Sequence, residues 1–211
     1  TDVATFYVFD RINSTSYRPA FHFTPSQGLS VALSQYAPGK KVWIAGKEYT
    51  SGAIYSPVAK ERSQAWQNKC LYYECSHCHF AKKVEFNEGT RGETLDCPAC
   101  SNKSFGPAKV WLRPPGFAHP VYLDENTEAE DAPTRSYATR AKLDAPTPPD
   151  QTAWKNLNPR IRTQHLKKHL LVTNRGPEEK GYDYCTKCGG IEPFASPTSQ
   201  LGAVQDKPGP D

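Results

Sequence analysis

Six of the seven cysteines in the sequence fall into Cys-x-x-Cys pairs: Cys75/Cys78, Cys97/Cys100 and Cys185/Cys188. A Cys-x-x-Cys segment turns tightly enough for both sulfurs to reach one ion, while its backbone amides donate hydrogen bonds to them. The first two pairs are eighteen residues apart, the separation of two such knuckles at neighbouring hairpin tips. Four thiolates at that spacing suit a soft cation that accepts tetrahedral geometry, with zinc the reading adopted. All four positions are filled by cysteine, so no coordination position stays open and the site is expected to be structural. Iron in a rubredoxin-like site is the alternative at the same ligands. A redox Cys-x-x-Cys normally stands alone beside a βαβ unit, and no such pattern is evident. His77 and His79, in and beside the first knuckle, read as exposed rings on a tight loop, and Cys70 as a small packing residue.

The third pair, Cys185/Cys188 in YCTKCGG, has the same knuckle pattern but no fourth pair to meet it. Glycine after the second cysteine permits the positive φ that such turns use. Three explanations stand: its partners lie beyond Asp211, His165 and His169 complete it as a second zinc site, or it holds no metal. The H-x₃-H spacing suits a Cys₂His₂ site, although the order of the pairs is reversed.

The elements flanking the cysteines are strands. LYYE leads into the first knuckle and FAKKVEF leaves it. NEGTRGE makes a polar turn, TLD enters the second knuckle, and AKVWL leaves it, the pattern of a zinc ribbon. Upstream, FYVF and AFHF read as strands, 25–39 as one short amphipathic helix or turn, 40–55 as a hairpin turning at Ala45-Gly46-Lys47, and 56–69 as a short helix. Asp150 is placed to cap a short helix over QTAWKNL. HLLVTNRGPEEKGYDYC reads as strand, Gly-Pro turn and strand, and the stretch after Gly190 as irregular. The fold class expected is mainly β with a few short helices, a zinc ribbon being inserted in or attached to a small β-rich domain. The segments are a β-rich accessory segment over 1–69, the ribbon over 70–113, a Pro-rich and acidic connection over 114–150, and a hairpin with the second knuckle and tail over 151–211.

Composition explains why metal would be needed. Hydrophobic residues make up 37% of 211, with 19 prolines and 14 glycines, and the mean hydropathy is −0.70. A single large apolar core is therefore not expected, and a structural zinc contributing on the order of 10 kcal/mol replaces part of it. No apolar run reaches membrane-spanning length and no secretory pattern opens the chain, so a cytoplasmic protein without membrane contact is expected. The absence of methionine and the opening on Thr1, together with the end in PGPD at Asp211, suggest a fragment of something longer.

The net charge of +4 permits nucleic-acid contact without demanding it. Basic residues gather in RIRTQHLKKH and continue to Arg175, making Arg160, Arg162, Lys167, Lys168 and Arg175 the candidates for phosphate contact. A solvated basic face is the plainer reading of the same residues. Lys82, Lys83, Lys103, Lys109 and Arg113 form a second footprint around the ribbon. VYLDEN imitates a Mg²⁺-holding strand, but the chain lacks G-x-x-x-x-G-K-[ST], and no nucleophile motif occurs, so no catalytic residue is assigned.

Three stretches together carry a resemblance: PSQGLSVALSQYAPGKKVWIAGKEYTSGAIY, then LRPPGFAHPV with SYATRAKL, then LVTNRGPEEKGYDYCTKCGG. They resemble the region that follows the motor core in large superfamily-two DNA helicases, including mitomycin-repair helicases and proteins of the DISARM and Druantia antiphage systems. The resemblance implies a non-catalytic, zinc-binding accessory region that contacts DNA or docks on helicase motor domains. It also implies that the ligands completing Cys185 and Cys188 come later in the parent chain. A zinc-ribbon module that binds only a partner protein is the alternative. The motor motifs are missing here, so ATPase activity does not carry over.

Overall fold

A computed structural model describes residues 2–15, 17–127, 142–143, 155–163 and 170–194. Among these the chain is mainly β, with sixteen short strands and two α-helices. It divides into two units, each assembled from separated stretches. Thr1–Gln67, Arg113–Thr139 and Thr173–Asp211 make one, and Asn68–Leu112 with Arg140–Val172 make the other.

The first unit is organised by β1 (Val3–Phe9). Its sequence VATFYVF is apolar on both faces because the strand is covered on both. Ala4, Phe6 and Val8 point into a core completed by Ala32, Tyr36, Tyr49 and Phe117. Tyr7 and Phe9 point the other way, into an aromatic cluster with Phe21 and Tyr55 whose ring centroids lie 4.9–5.4 Å apart along four contacts. The expected AFHF strand is β2 (Phe21–Phe23), antiparallel to β1. The stretch 25–39 splits: Ser26–Gly28 becomes β3 on β1, and Leu29–Gln35 becomes α1. Backbone pairing captures the three residues that a seven-residue helix, too short to be stable alone, does not hold.

The hairpin expected over 40–55 forms as β4 (Lys41–Ile44) and β5 (Lys47–Thr50). Ala45 and Gly46 both take positive φ, 50° and 76°, as a two-residue turn matched to strand twist requires. The helix expected over 56–69 is α2 (Ala59–Gln67). β6 (Ala53–Ile54) pairs with β10 (Phe117–Ala118), which runs parallel to β1. Gly116 allows this insertion: a Cβ there would sit 2.8 Å from the Tyr55 carbonyl oxygen and 2.9 Å from that of Thr5. The VYLDEN stretch, 121–126, is a loop and not a strand, clipped to β5, with Glu48 and Asn126 exchanging backbone hydrogen bonds and Glu125 bound to Lys47 at 2.9 Å.

In the second unit β7 (Cys70–Glu74) lies between β8 (Ala81–Glu85) and β9 (Lys109–Trp111). Leu71 and Tyr73 face one small core with Phe105 and Ala108, while Tyr72 faces another with Ala81 and Leu171. β11 (Lys142–Leu143) pairs with β14 (Leu170–Leu171). The helix expected over QTAWKNL is corrected at its described residues: Lys155–Asn158 is β12, paired with β13 (Ile161–Thr163). Pro159 disfavours helical backbone at Asn158, and the Asn158 carboxamide caps a turn instead.

The strands expected on either side of Gly176-Pro177 are present but do not pair with each other. β14 belongs to β11, and β15 (Tyr182–Tyr184) pairs with β16 (Ile191–Pro193), which occupies part of the stretch expected to be irregular. β16 is fixed by tertiary hydrogen bonds, Ile191 N–H to the Gly52 carbonyl and Ile54 N–H to the Gly189 carbonyl. Gly189 has φ 78°, and a Cβ would stand 2.6 Å from the Ile54 oxygen. Replacing it with alanine is expected to cost roughly 1–2 kcal/mol from the left-handed backbone alone, and more from the contact with Ile54. A thermal melt of Gly189→Ala against wild type checks this, and an unchanged Tm contradicts it.

Candidate metal centre

The two ribbon knuckles have one backbone design. Cys75 N–H donates to the Phe80 carbonyl at 2.9 Å, and His79 N–H donates back to the Cys75 carbonyl at 2.9 Å. Cys97 N–H donates to Asn102 at 2.8 Å, and Ser101 N–H to Cys97 at 2.7 Å. In each, the residue four after the first cysteine takes positive φ, 59° at His79 and 60° at Ser101. Free amides turn toward sulfur: Cys78 N–H lies 3.5 Å from Cys75 Sγ and Ala99 N–H 3.4 Å from Cys97 Sγ. The Ser104 carbonyl accepts from Ser76 N–H at 3.1 Å, and the Phe105 backbone bridges to both Cys75 and Leu95, so the two knuckles are stitched together.

The result brings Cys75, Cys78, Cys97 and Cys100 together, their sulfurs all within 4.8 Å of one another. Cys75 Sγ lies 3.7 Å from Cys100 Sγ, and Cys78 Sγ lies 3.6 Å from Cys97 Sγ. A tetrahedron with metal–sulfur bonds of about 2.3 Å requires sulfurs about 3.8 Å apart, so the four residues fit a single tetrahedral ion. Cys75 and Cys97 are buried, while Cys78 and Cys100 face solvent.

Electrostatics explains what the ion would do. Burial resists ionisation of Cys75, but the Ser104 hydroxyl and the backbone N–H groups of Cys78 and His77 outweigh it and hold the thiol down at about 6. Cys78 moves oppositely, pushed up to about 12 because its sulfur, though on an exposed residue, is partly desolvated and turned toward those of Cys100, Cys97 and Cys75. Without a cation, the cluster can ionise one thiol easily and then resists the next. A divalent ion removes that conflict and makes all four thiolates the stable form. With four protein ligands it would have no room for a substrate, and its contribution there is structural.

Neighbouring groups support the ligands. Tyr73 stacks on Phe105 at 5.3 Å, and its hydroxyl donates to Glu93 Oε1 at 2.5 Å, drawing the NEGTRGE turn onto β7. Glu74, next to Cys75, accepts from Tyr72 Oη at 2.6 Å and pairs with Lys142. Cysteine spacing carries no signal for Ser104 or for the Glu74 cluster. His77 and His79 are exposed and outside the sulfur cluster, His79 instead lying 3.6 Å from Glu74. Cys70 is buried in β7.

Cys185 and Cys188 belong to the first unit and repeat the same knuckle. Cys185 N–H donates to Gly190 at 2.8 Å, Gly189 N–H to Cys185 at 2.9 Å, and Gly190 N–H lies 3.4 Å from Cys188 Sγ. No third metal-ligating group joins them among the described residues. His165 and His169, like Lys167 and Lys168, lie outside the described residues. Arg160 is exposed at the β12–β13 turn and Arg162 falls in β13, whereas Arg175 is in the first unit and bound to Glu179 at 2.8 Å.

Among known proteins, the chain is similar to Druantia protein DruE of Escherichia coli (strain UMEA 4076-1), with 29% identity over 187 residues. The match covers 85% of this chain but 10% of that protein, so the chain spans about a tenth of its relative's length. No family model matches the chain, and no solved structure matches it. No helix among the described residues is long and apolar enough to cross a membrane.

If one ion ties the two knuckles together, Cys97→Ser with Cys100→Ser should abolish metal binding by the ribbon and unfold the second unit. Elemental analysis and amide hydrogen exchange over 70–112 check this. Unchanged protection in a metal-free variant would show that packing alone holds the ribbon.

Proposed function

We propose that the chain is a zinc-binding accessory region of an antiphage defence protein, contributing DNA contact beside a helicase-type motor rather than catalysis of its own. The similarity to DruE supports the defence setting, and the four-sulfur tetrahedron supports zinc as the ion. A cytoplasmic location follows from that setting.

The observation that carries the DNA reading is the division of charge. The unit holding the four-cysteine cluster has thirteen Lys and Arg against seven Asp and Glu, whereas the other has thirteen against fifteen. The modest +4 of the whole chain thus hides a strongly basic unit beside a slightly acidic one. Within 151–172 of that unit there are five Lys and Arg and no carboxylate side chain, Lys155, Arg160, Arg162, Lys167 and Lys168, whereas Arg175 belongs to the other unit and is bound to Glu179. Such a stretch attracts phosphate by Coulomb interaction and by release of counterions. A second reading, docking on motor domains or another protein, is favoured by exposed Phe86 and Leu95 on the ribbon.

Cys185 and Cys188 are proposed as half of a second zinc site. Four cysteines cluster in the ribbon, Cys70 is buried in the other unit, and buried His119 is engaged at both nitrogens, Nδ1 accepting from Thr50 N–H at 3.0 Å and Nε2 lying 3.1 Å from the Leu123 carbonyl oxygen. The candidates for the second site's remaining ligands are residues of the parent protein, as the resemblance implies, or His165 and His169, and a pair that holds no metal is the alternative.

Two measurements test these readings. Binding of a labelled duplex should weaken on the order of 10–10² fold between 50 and 200 mM salt, as three or four phosphate contacts require. Lys167→Glu with Lys168→Glu should weaken it further, and the absence of binding at low salt refutes DNA contact. Metal analysis should give one zinc per chain if Cys185 and Cys188 await outside ligands, and two if the histidines complete the site.

A further inference from the structure

The β12–β13 hairpin stands apart from the rest of the second unit in chemistry. None of its eight described side chains, Lys155–Ile161 and Thr163, is buried. Leu157 and Ile161 near its tip are 68% and 52% exposed. A two-stranded hairpin with no buried face is marginal in water, and apolar side chains held open at a tip gain stability only against a partner. Its tip is nevertheless well defined. Asn158 Oδ1 accepts hydrogen bonds from the N–H groups of Arg160 and Ile161, each at 2.8 Å, and Pro159 fixes the backbone between them. Arg160 is thereby presented outward at the turn, with Lys155 at the base and Asn156 in register with Arg162. The hairpin carries three cationic residues and no carboxylate.

Resting on the DNA reading above, we infer that this hairpin is the element that enters the DNA, seating as a two-stranded ribbon in the major groove. That groove, about 12 Å wide, admits a ribbon of this size. Lys155 and Arg160 supply cations for the phosphates that flank it. Leu157 and Ile161 offer apolar contact to thymine methyl groups. A purely phosphate-binding loop would have no use for two exposed aliphatic side chains between its cations. A protein-binding hairpin would not need every charge to have one sign.

The test uses the metal-loaded chain, a labelled 20-base-pair duplex and fluorescence anisotropy across a salt series. Because the altered side chains are exposed, the variants should retain wild-type metal content and circular dichroism. Lys155→Glu with Arg160→Glu should lower affinity at least tenfold and flatten the salt slope by about two. Leu157→Ser with Ile161→Ser should lower affinity several-fold while leaving the slope unchanged, a signature that loss of charge cannot imitate. Wild-type affinity in both hairpin variants, alongside weakened binding by Lys167→Glu with Lys168→Glu, overturns the hairpin assignment, keeps the DNA reading and returns the hairpin to a protein partner. Equal affinity for a single strand of the same sequence overturns the groove geometry. Failure of the wild-type chain to bind any duplex removes both readings together.

Discussion

Four sulfur atoms crowded within 4.8 Å set the terms for the second unit. As thiols they are poor hydrogen-bonding groups packed beside Phe105, and as thiolates they repel one another. The fold contains partial answers: Ser104 and several backbone N–H groups point at Cys75 and make its ionisation easy. That local help cannot extend to four like charges. A cation at the centre would remove that conflict and tie the two loops to each other. The core beside it is correspondingly small, a few side chains on each face of β7, and the two knuckles meet through the Ser76–Ser104 hydrogen bond and the backbone bridges at Phe105.

The first unit solves the same problem by different means. β1 is buried on one face by Phe6 and its neighbours and shielded on the other by Tyr7, Phe9, Phe21 and Tyr55, with the Arg62 guanidinium 5.1 Å from the centre of the Tyr55 ring. Aromatic rings bury large areas per residue, which compensates for a lean hydrophobic composition. The parallel placement of β10 against β1 brings together residues more than a hundred positions apart and commits the unit to a discontinuous chain path. Buried polar groups are tied into that path: Ser51 Oγ donates to the Tyr36 carbonyl at 2.8 Å, and His119 sits between β5 and the 121–126 loop.

What the sequence made legible follows from how local each feature is. The ribbon could be read because Cys-x-x-Cys encodes its own turn, and the Ala45-Gly46 hairpin because two residues fix its geometry. α2 was legible from Pro57 and the polar run after it. Ser26–Gly28 was not, because its strand state depends on β1, and β16 was not, because hydrogen bonds to Gly52 and Ile54 decide it. QTAWKNL misled because a capping aspartate and good helix formers precede a proline whose effect on Asn158 outweighs them. In the sulfur cluster the four cysteines were evident, whereas Ser104, which tunes Cys75, lies 29 residues from it and carries no pattern.

Comparing the three knuckles separates what a short stretch specifies from what a whole fold must supply. All three have the same hydrogen-bonded turn, and the residue at the fourth position after the first cysteine takes positive φ whether it is histidine, serine or glycine. The side chain at that position does not choose the conformation, since His79 and Ser101 adopt it at a steric cost that glycine avoids. Amide donation toward sulfur and closure of the turn are enough to hold them there. The turn of a knuckle is thus specified by its own backbone hydrogen bonds. Selectivity for metal resides in the second knuckle that faces it, which β7, β9 and the Phe105 bridge position for Cys75 and Cys78. At Cys185 and Cys188 the local half is present, docked on β6 through Gly189, and the described residues supply no facing half. A pair of cysteines can therefore look like a metal site in every local respect while its metal chemistry depends on what faces it.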